Sequence, residues 1–144
     1  MKPTDFQKQH LIKLAYALLI LLWSYTGLSK LIDNAAFEKQ VTTLISAEHP
    51  KPISIGIPLL EVLTAFSLVW HRTRKLGLYL SLLLMAAFTT YVSLVIAGYF
   101  GPAPCSCGGI ISALGWKSHL LINITFLCLV LYLLYTKKTE RRQP

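Results

Sequence analysis

Long apolar runs separated by short polar segments dominate the chain. Four runs come close to the roughly 20 residues that a helix needs to cross a bilayer, and they cover residues 12–32, 52–70, 76–99 and 118–136. Away from the ends of these runs, Glu61 is the single charged residue. The pattern predicts an all-α fold, an integral membrane four-helix bundle. We expect one transmembrane domain over residues 1–136 and a basic tail over residues 137–144.

A weaker apolar pattern lies between the first two runs, from Asn34 to Pro50. Phe37, Val41 and Leu44 recur at intervals of three or four residues, which is typical of one face of a helix. A short amphipathic helix on the membrane surface is therefore expected. It could cover the loop before the fourth run or simply connect two spans, and the simple connection is the favoured interpretation.

The charge distribution supports a membrane protein and predicts its orientation. The 144 residues are 54% hydrophobic and 14% charged, with a net charge of +8, whereas soluble domains are about 25% charged. The basic residues lie at the ends of the apolar runs, as in membrane flanks, so nucleic acid is not an expected partner. An inward N-terminus places ten Lys and Arg inside and four outside. Both termini are therefore expected to be cytoplasmic.

The candidate chemistry lies in the loop between the third and fourth runs, where Cys105 and Cys107 flank Ser106. A disulfide closing so small a ring would add only about 1.6 kcal/mol of stability, so a structural staple is a weak explanation. Strained, exposed disulfides exchange readily, and nearby prolines and glycines allow the turn that the pair requires. We interpret the pair as a redox pair in an outward-facing, oxidising compartment.

A metal site is the competing interpretation of the same cysteines. A closed zinc site needs about four ligands, and the outer side offers Cys105, Cys107, His119 and His49 with no second cysteine pair. No metal is therefore predicted. Cys128 lies inside the fourth run and receives no role.

Several polar residues are predicted to lie in the outer half of the membrane. Glu61 carries an insertion cost of about 3 kcal/mol, so it should face the bundle interior. Asn123 and Tyr25 are expected below the outer ends of their runs, His119 almost at the outer end of the fourth run, and Lys30 nearer the outer end of the first run than Tyr25. They could serve thiol exchange as proton-transfer or tuning groups, could form a ligand pocket, or could hold the helices together through hydrogen bonds.

Three segments in order resemble the MauE branch of the DoxX-like membrane proteins. They are Tyr25-Thr26-Gly27-Leu28-Ser29-Lys30-Leu31-Ile32, Ile57-Pro58-Leu59-Leu60-Glu61 and Pro104-Cys105-Ser106-Cys107-Gly108-Gly109. The resemblance covers about residues 11 to 136. It implies a bacterial inner-membrane protein associated with thiol redox. The MauE member of the family is associated with methylamine utilisation, where it supports maturation of a periplasmic, disulfide-rich dehydrogenase subunit alongside a thioredoxin-like partner. By that resemblance Cys105 and Cys107 are the exchange pair.

The expected function is thiol–disulfide exchange with a periplasmic thioredoxin-like or disulfide-containing client protein, in contact with the lipid bilayer. Lys30, Glu61 and His119 are the expected proton or tuning groups. A quinone is a possible cofactor. Quinone-linked disulfide generators, however, use a Cys-x-x-Cys pair and a second cysteine pair, and this chain has neither. The competing hypothesis is a non-enzymatic membrane subunit or a small-ligand-binding bundle centred on Glu61.

Overall fold

A computed structural model describes residues 5–45, 50–100 and 115–140. All regular structure in these ranges is helical, which confirms the all-α prediction: α1 (Asp5–Ile32), α2 (Asn34–Ile45), α3 (Lys51–Val69), α4 (Arg74–Ile96) and α5 (Gly115–Glu140). Within the same ranges, four helices are long and apolar enough to cross a membrane, namely α1, α3, α4 and α5.

The helix ends differ modestly from the predicted spans. α1 begins at Asp5, well before residue 12, and α5 continues to Glu140, into the predicted basic tail. α4 ends at Ile96 because Gly98 adopts a positive φ of 77°, a conformation that glycine reaches at little cost. The resulting turn brings the ring centroid of Phe100 to 6.1 Å from that of Tyr91.

The four long helices pack as an antiparallel bundle in which α3 lies between α1 and α4, and α5 packs mainly on α4. Trp23 donates from Nε1 to Ser81 Oγ at 2.9 Å, linking α1 to α4 inside the core. The core is built from large apolar side chains that all four long helices contribute, including Leu19, Trp23, Leu68, Leu78, Val130 and Leu133. Because the helices alternate in direction, α1 begins and α5 ends at the same end of the bundle.

The outside of the bundle is apolar. Exposed leucines occur on every long helix, for example Leu21, Leu63, Leu83 and Leu121. In water such a surface would be an aggregation hazard, whereas acyl chains would cover it at no cost. The protein is therefore a multi-pass membrane protein in contact with the lipid bilayer.

α2 is held against the bundle by a hydrogen bond to a backbone carbonyl of α3 that Pro58 leaves free. Proline has no N–H, so Pro58 inside α3 leaves the carbonyl of Ser54 without its usual intrahelical donor. Asn34, at the start of α2, donates from Nδ2 to that carbonyl at 2.8 Å. The amphipathic helix expected here forms, with Phe37 and Val41 buried. It lies against α1 and α3, so α2 is more than a simple connection.

Candidate functional site

The cysteine pair proposed from the sequence, Cys105 and Cys107, lies outside the described residues, as does His49. The structure does describe the chain on both sides of that segment. Phe100 precedes it and Trp116 follows it, and the ring centroid of each lies 6.1 Å from that of Tyr91. Both ends of the cysteine-bearing segment are therefore anchored on one side chain of α4.

Lys30 and Glu61 form a buried ion pair in which Lys30 Nζ donates to Glu61 Oε1. The side chains are only 5% and 0% exposed, so each charge depends on the other for stabilisation. Gly27 allows this pairing because it lies where α1 meets α3. A Cβ atom there would approach Pro58 O to 3.0 Å and Glu61 Cβ to 3.2 Å. Two of the three segments that carry the family resemblance thus meet at one helix interface.

Aromatic rings surround the ammonium group of Lys30. Its Nζ lies 4.7 Å from the centroid of Phe88 and 5.5 Å from that of Phe37. A cation within about 6 Å of a ring centroid is attracted by the ring's negative face. These rings, contributed by α4 and α2, help to stabilise a charge that the membrane interior would otherwise disfavour.

The ion pair lines a cavity of about 410 Å³. Its walls are mostly apolar and come from all five described helices. The polar residues that line it are Thr26, Lys30, Gln40, Glu61, Thr90, Tyr91, His119 and Asn123. The structure thus brings together Lys30, Glu61, His119 and Asn123, as the sequence suggested. Tyr25 is not among the described residues that line the cavity.

Four polar atoms of the cavity residues are buried without a hydrogen-bond partner in the part of the chain that the structure describes. They are Gln40 Oε1, Glu61 Oε2, His119 Nδ1 and Asn123 Nδ2. Their side chains are at most 7% exposed. Leaving one such atom unpaired costs about 1–3 kcal/mol, and buried polar groups are normally satisfied. Four unpaired polar atoms in one cavity indicate that the cavity is suited to a molecule that can form hydrogen bonds with them.

α2 closes this cavity on one side, and it contributes the residue that sequence reasoning missed. Gln40 Nε2 donates to the hydroxyl of Tyr91 at 3.0 Å, joining α2 to the side chain that anchors the cysteine-bearing segment. Gln40 lies three residues after Phe37 and directly before Val41, so helical spacing already placed it on the buried face. A polar residue among the apolar positions of an amphipathic helix was the available signal.

The α4 wall of the cavity includes residues that are exposed on the outer surface of the bundle. Ala87, Thr90 and Leu94 of α4 line the cavity and are also exposed. They lie within the apolar span Arg74–Ile96. Exposed cavity-lining residues on this helix favour an opening toward the region that lipid would occupy.

Of the four candidate metal ligands named from the sequence, the structure describes only His119. Among the described residues, no three His, Cys, Asp or Glu side chains cluster. Cys128 is exposed on α5, away from the cavity lining.

Comparison with known proteins identifies the family. The family model described as methylamine utilisation protein MauE matches residues 8–136, which is nearly the whole chain. Searches of curated proteins and of solved structures give no match. The match includes both helix segments that form the Lys30–Glu61 interface as well as the cysteine-bearing segment. The chain belongs to the MauE family of membrane proteins.

Proposed function

We propose that the protein is a bacterial inner-membrane thiol–disulfide redox protein. Its Cys105 and Cys107 exchange disulfides with a periplasmic thioredoxin-like or client protein, in a MauE-like role in maturation of a periplasmic redox enzyme. The excess of basic residues at one end of the bundle supports cytoplasmic termini and a periplasmic cysteine segment.

The observation that carries the proposal is the anchoring of the cysteine-bearing segment. Phe100 and Trp116 both contact Tyr91, and Tyr91 lines the cavity that contains Lys30 and Glu61. The segment thus leaves and re-enters the bundle beside the one buried cluster of ionisable groups in the described ranges. Thiol exchange depends on the thiolate fraction, so ionisable groups near this segment are suited to tuning it.

The exchange itself needs no further reagent. The thiolate of one cysteine attacks the partner's disulfide, which forms a mixed disulfide and releases one partner thiolate, which takes up a proton. The second cysteine of the pair then attacks the mixed disulfide. The Cys105–Cys107 disulfide forms, the second partner sulfur leaves as a thiol, and two electrons have passed to the partner. The same steps in reverse oxidise the partner. Lys30, Glu61 and His119 are proposed to hold or move the protons involved.

Single-cysteine variants test this proposal. C105S and C107S each lack the second thiol that resolves the mixed disulfide, so at least one of them should accumulate a covalent adduct with its partner in cells. Non-reducing electrophoresis followed by mass spectrometry would detect it. C128S is the matched control, because Cys128 is exposed on α5 outside the cavity, and it should trap nothing. The proposal fails if neither single variant yields an adduct and the pair is never found oxidised in cells.

A second candidate function is a non-enzymatic bundle that binds a small ligand around Glu61. The four unpartnered polar atoms in the cavity favour it. This candidate predicts that the C105S/C107S variant restores growth of a deletion strain while E61Q does not. The leading proposal predicts that C105S/C107S fails.

A further inference from the structure

The lining of the cavity defines the shape of molecule that would fit it. Its volume of about 410 Å³ falls within the range of about 300–1,000 Å³ that small-molecule pockets occupy. Five Trp, Phe and Tyr side chains contribute to the walls, namely Trp23, Phe37, Phe88, Tyr91 and Phe100. Aromatic faces and edges pack favourably against flat rings. The apolar part of the cavity therefore favours a ring over a flexible chain.

The unpartnered polar atoms define where such a molecule would carry oxygen. Asn123 Nδ2 is a donor and requires an acceptor, while Gln40 Oε1 and Glu61 Oε2 require a donor. His119 Nδ1 can take either part, depending on its tautomer. A hydroxyl group can accept a hydrogen bond from Asn123 and donate one to Gln40 or Glu61. A carbonyl oxygen can accept from a donor such as Asn123. The polar end of the cavity is therefore suited to hydroxyl or carbonyl oxygen.

The charges in the cavity and its exposed α4 residues indicate the charge of the ligand and its route of entry. Lys30 and Glu61 neutralise each other inside the cavity, so a charged molecule would need to separate this pair in a place where lone charges are strongly disfavoured. Ala87 and Thr90 line the cavity and are also exposed on α4, inside an apolar span, which favours an opening on this face. The occupant should therefore be neutral and able to arrive from the lipid phase.

We propose that this cavity binds a neutral, membrane-soluble ring molecule that carries hydroxyl or carbonyl oxygen. Its ring lies among the aromatic side chains of α2 and α4, and its oxygen is bonded by Asn123 together with Gln40, Glu61 or His119. The proposal deepens the second candidate function, since it names the class of ligand, and it requires no action of the cysteines.

Binding of three probes of similar size tests it: 1-naphthol, which carries a hydroxyl, 1-tetralone, which carries a carbonyl, and naphthalene, which carries no oxygen. Calorimetric titration into nanodiscs containing the C105S/C107S variant, with empty nanodiscs subtracted, measures binding without thiol chemistry. We expect both oxygen-bearing probes to bind at least about five-fold more tightly than naphthalene, the effect of one good hydrogen bond. Equal binding of all three probes, as for a site filled by acyl chains, or no binding above the blank, as for a site that holds only water, would overturn the proposal.

Two substitutions locate the site. N123L should weaken 1-tetralone about five-fold and leave naphthalene unchanged. A87W should block the opening and weaken every probe at least about ten-fold, an amount that corresponds to the loss of a few ring contacts. A86W is the matched control, because Ala86 is the neighbouring exposed alanine that does not line the cavity. The A86W variant should bind each probe within about two-fold of the unsubstituted cavity.

Equal effects of A87W and A86W would contradict binding in this cavity even if N123L failed to fold. Adduct trapping in C105S or C107S is measured separately, so failure of the ligand site and failure of thiol exchange are distinguishable.

Discussion

The charged residue that stands out in the sequence, Glu61, is tolerated inside the membrane because Lys30 is paired with it. The pair is buried, and two aromatic rings lie against the ammonium group. Removing one partner of a buried pair leaves an uncompensated charge, whereas removing both can be nearly neutral. The two residues should therefore behave as one unit in stability and not as two independent contributions.

Substitution of the pair tests this dependence. K30M and E61L should each lower the free energy of unfolding in mixed micelles by about 3–5 kcal/mol, and K30M/E61L should recover most of that loss. K51M is the control for removal of a lysine, because Lys51 is exposed at the start of α3, and it should change stability by less than about 0.5 kcal/mol. A double variant whose loss equals the sum of the single losses would contradict a coupled pair.

Among the helices, the close approach of α1 and α3 determines whether the site can form. Gly27 contacts α3 with so little space that an added Cβ would lie 2.8 Å from Val62 Cγ2 and 3.0 Å from the backbone oxygen of Pro58. Backbone cannot yield as a flexible side chain can, so any larger residue must push the helices apart. That displacement would lengthen the Lys30–Glu61 contact.

Alanine substitution at two glycines distinguishes packing from helix propensity. G27A should destabilise the bundle by about 1–3 kcal/mol in the same unfolding measurement, because overpacking outweighs the gain in helix propensity. G56A lies in α3 with nothing within 4 Å of the added Cβ, and should leave stability unchanged or raise it by up to about 1 kcal/mol. Similar effects at both positions would show that the helices do not meet at Gly27.

The docking of α2 depends on the proline inside α3. N34A should lower stability by about 1 kcal/mol through loss of its bond to the Ser54 carbonyl. In a P58A background the same change should cost much less, since residue 58 then supplies an N–H to that carbonyl. A double-mutant cycle measures this coupling, with T42A on the exposed face of α2 as the control. A coupling energy near zero would show that Asn34 does not replace the missing donor.

The sequence predicts the spanning helices well because a bilayer imposes a long, nearly uncharged run on each of them. It also places Lys30, Glu61, His119 and Asn123 toward the outer side of the membrane, since helical rise converts sequence position into depth. It does not reveal that α3 lies between α1 and α4, because lateral neighbours depend on packing of small residues such as Gly27. Gln40 is not predicted as a site residue for a related reason. Periodicity shows which face of α2 is buried, but it does not show which residues that face contacts.

The molecule as a whole has two unlike ends. One end carries the start of α1, the short turn between α3 and α4 and the end of α5. The other carries α2, the opening of the cavity on α4 and the points at which the cysteine-bearing segment joins the bundle, at Phe100 and Gly115. Most of the basic residues belong to the first end. The positive-inside rule therefore predicts that the second end faces the periplasm.

Labelling of intact cells with a maleimide reagent that cannot cross the membrane tests this orientation and the redox state of the pair together. In a C128S background, we predict little labelling at first and two labels per chain after treatment with an impermeant phosphine reductant, because an oxidised, outward Cys105–Cys107 pair becomes accessible thiols. C105S/C107S/C128S should remain unlabelled. Labelling that appears only after the membrane is permeabilised would contradict a periplasmic redox pair, and full labelling without reductant would contradict an oxidised one.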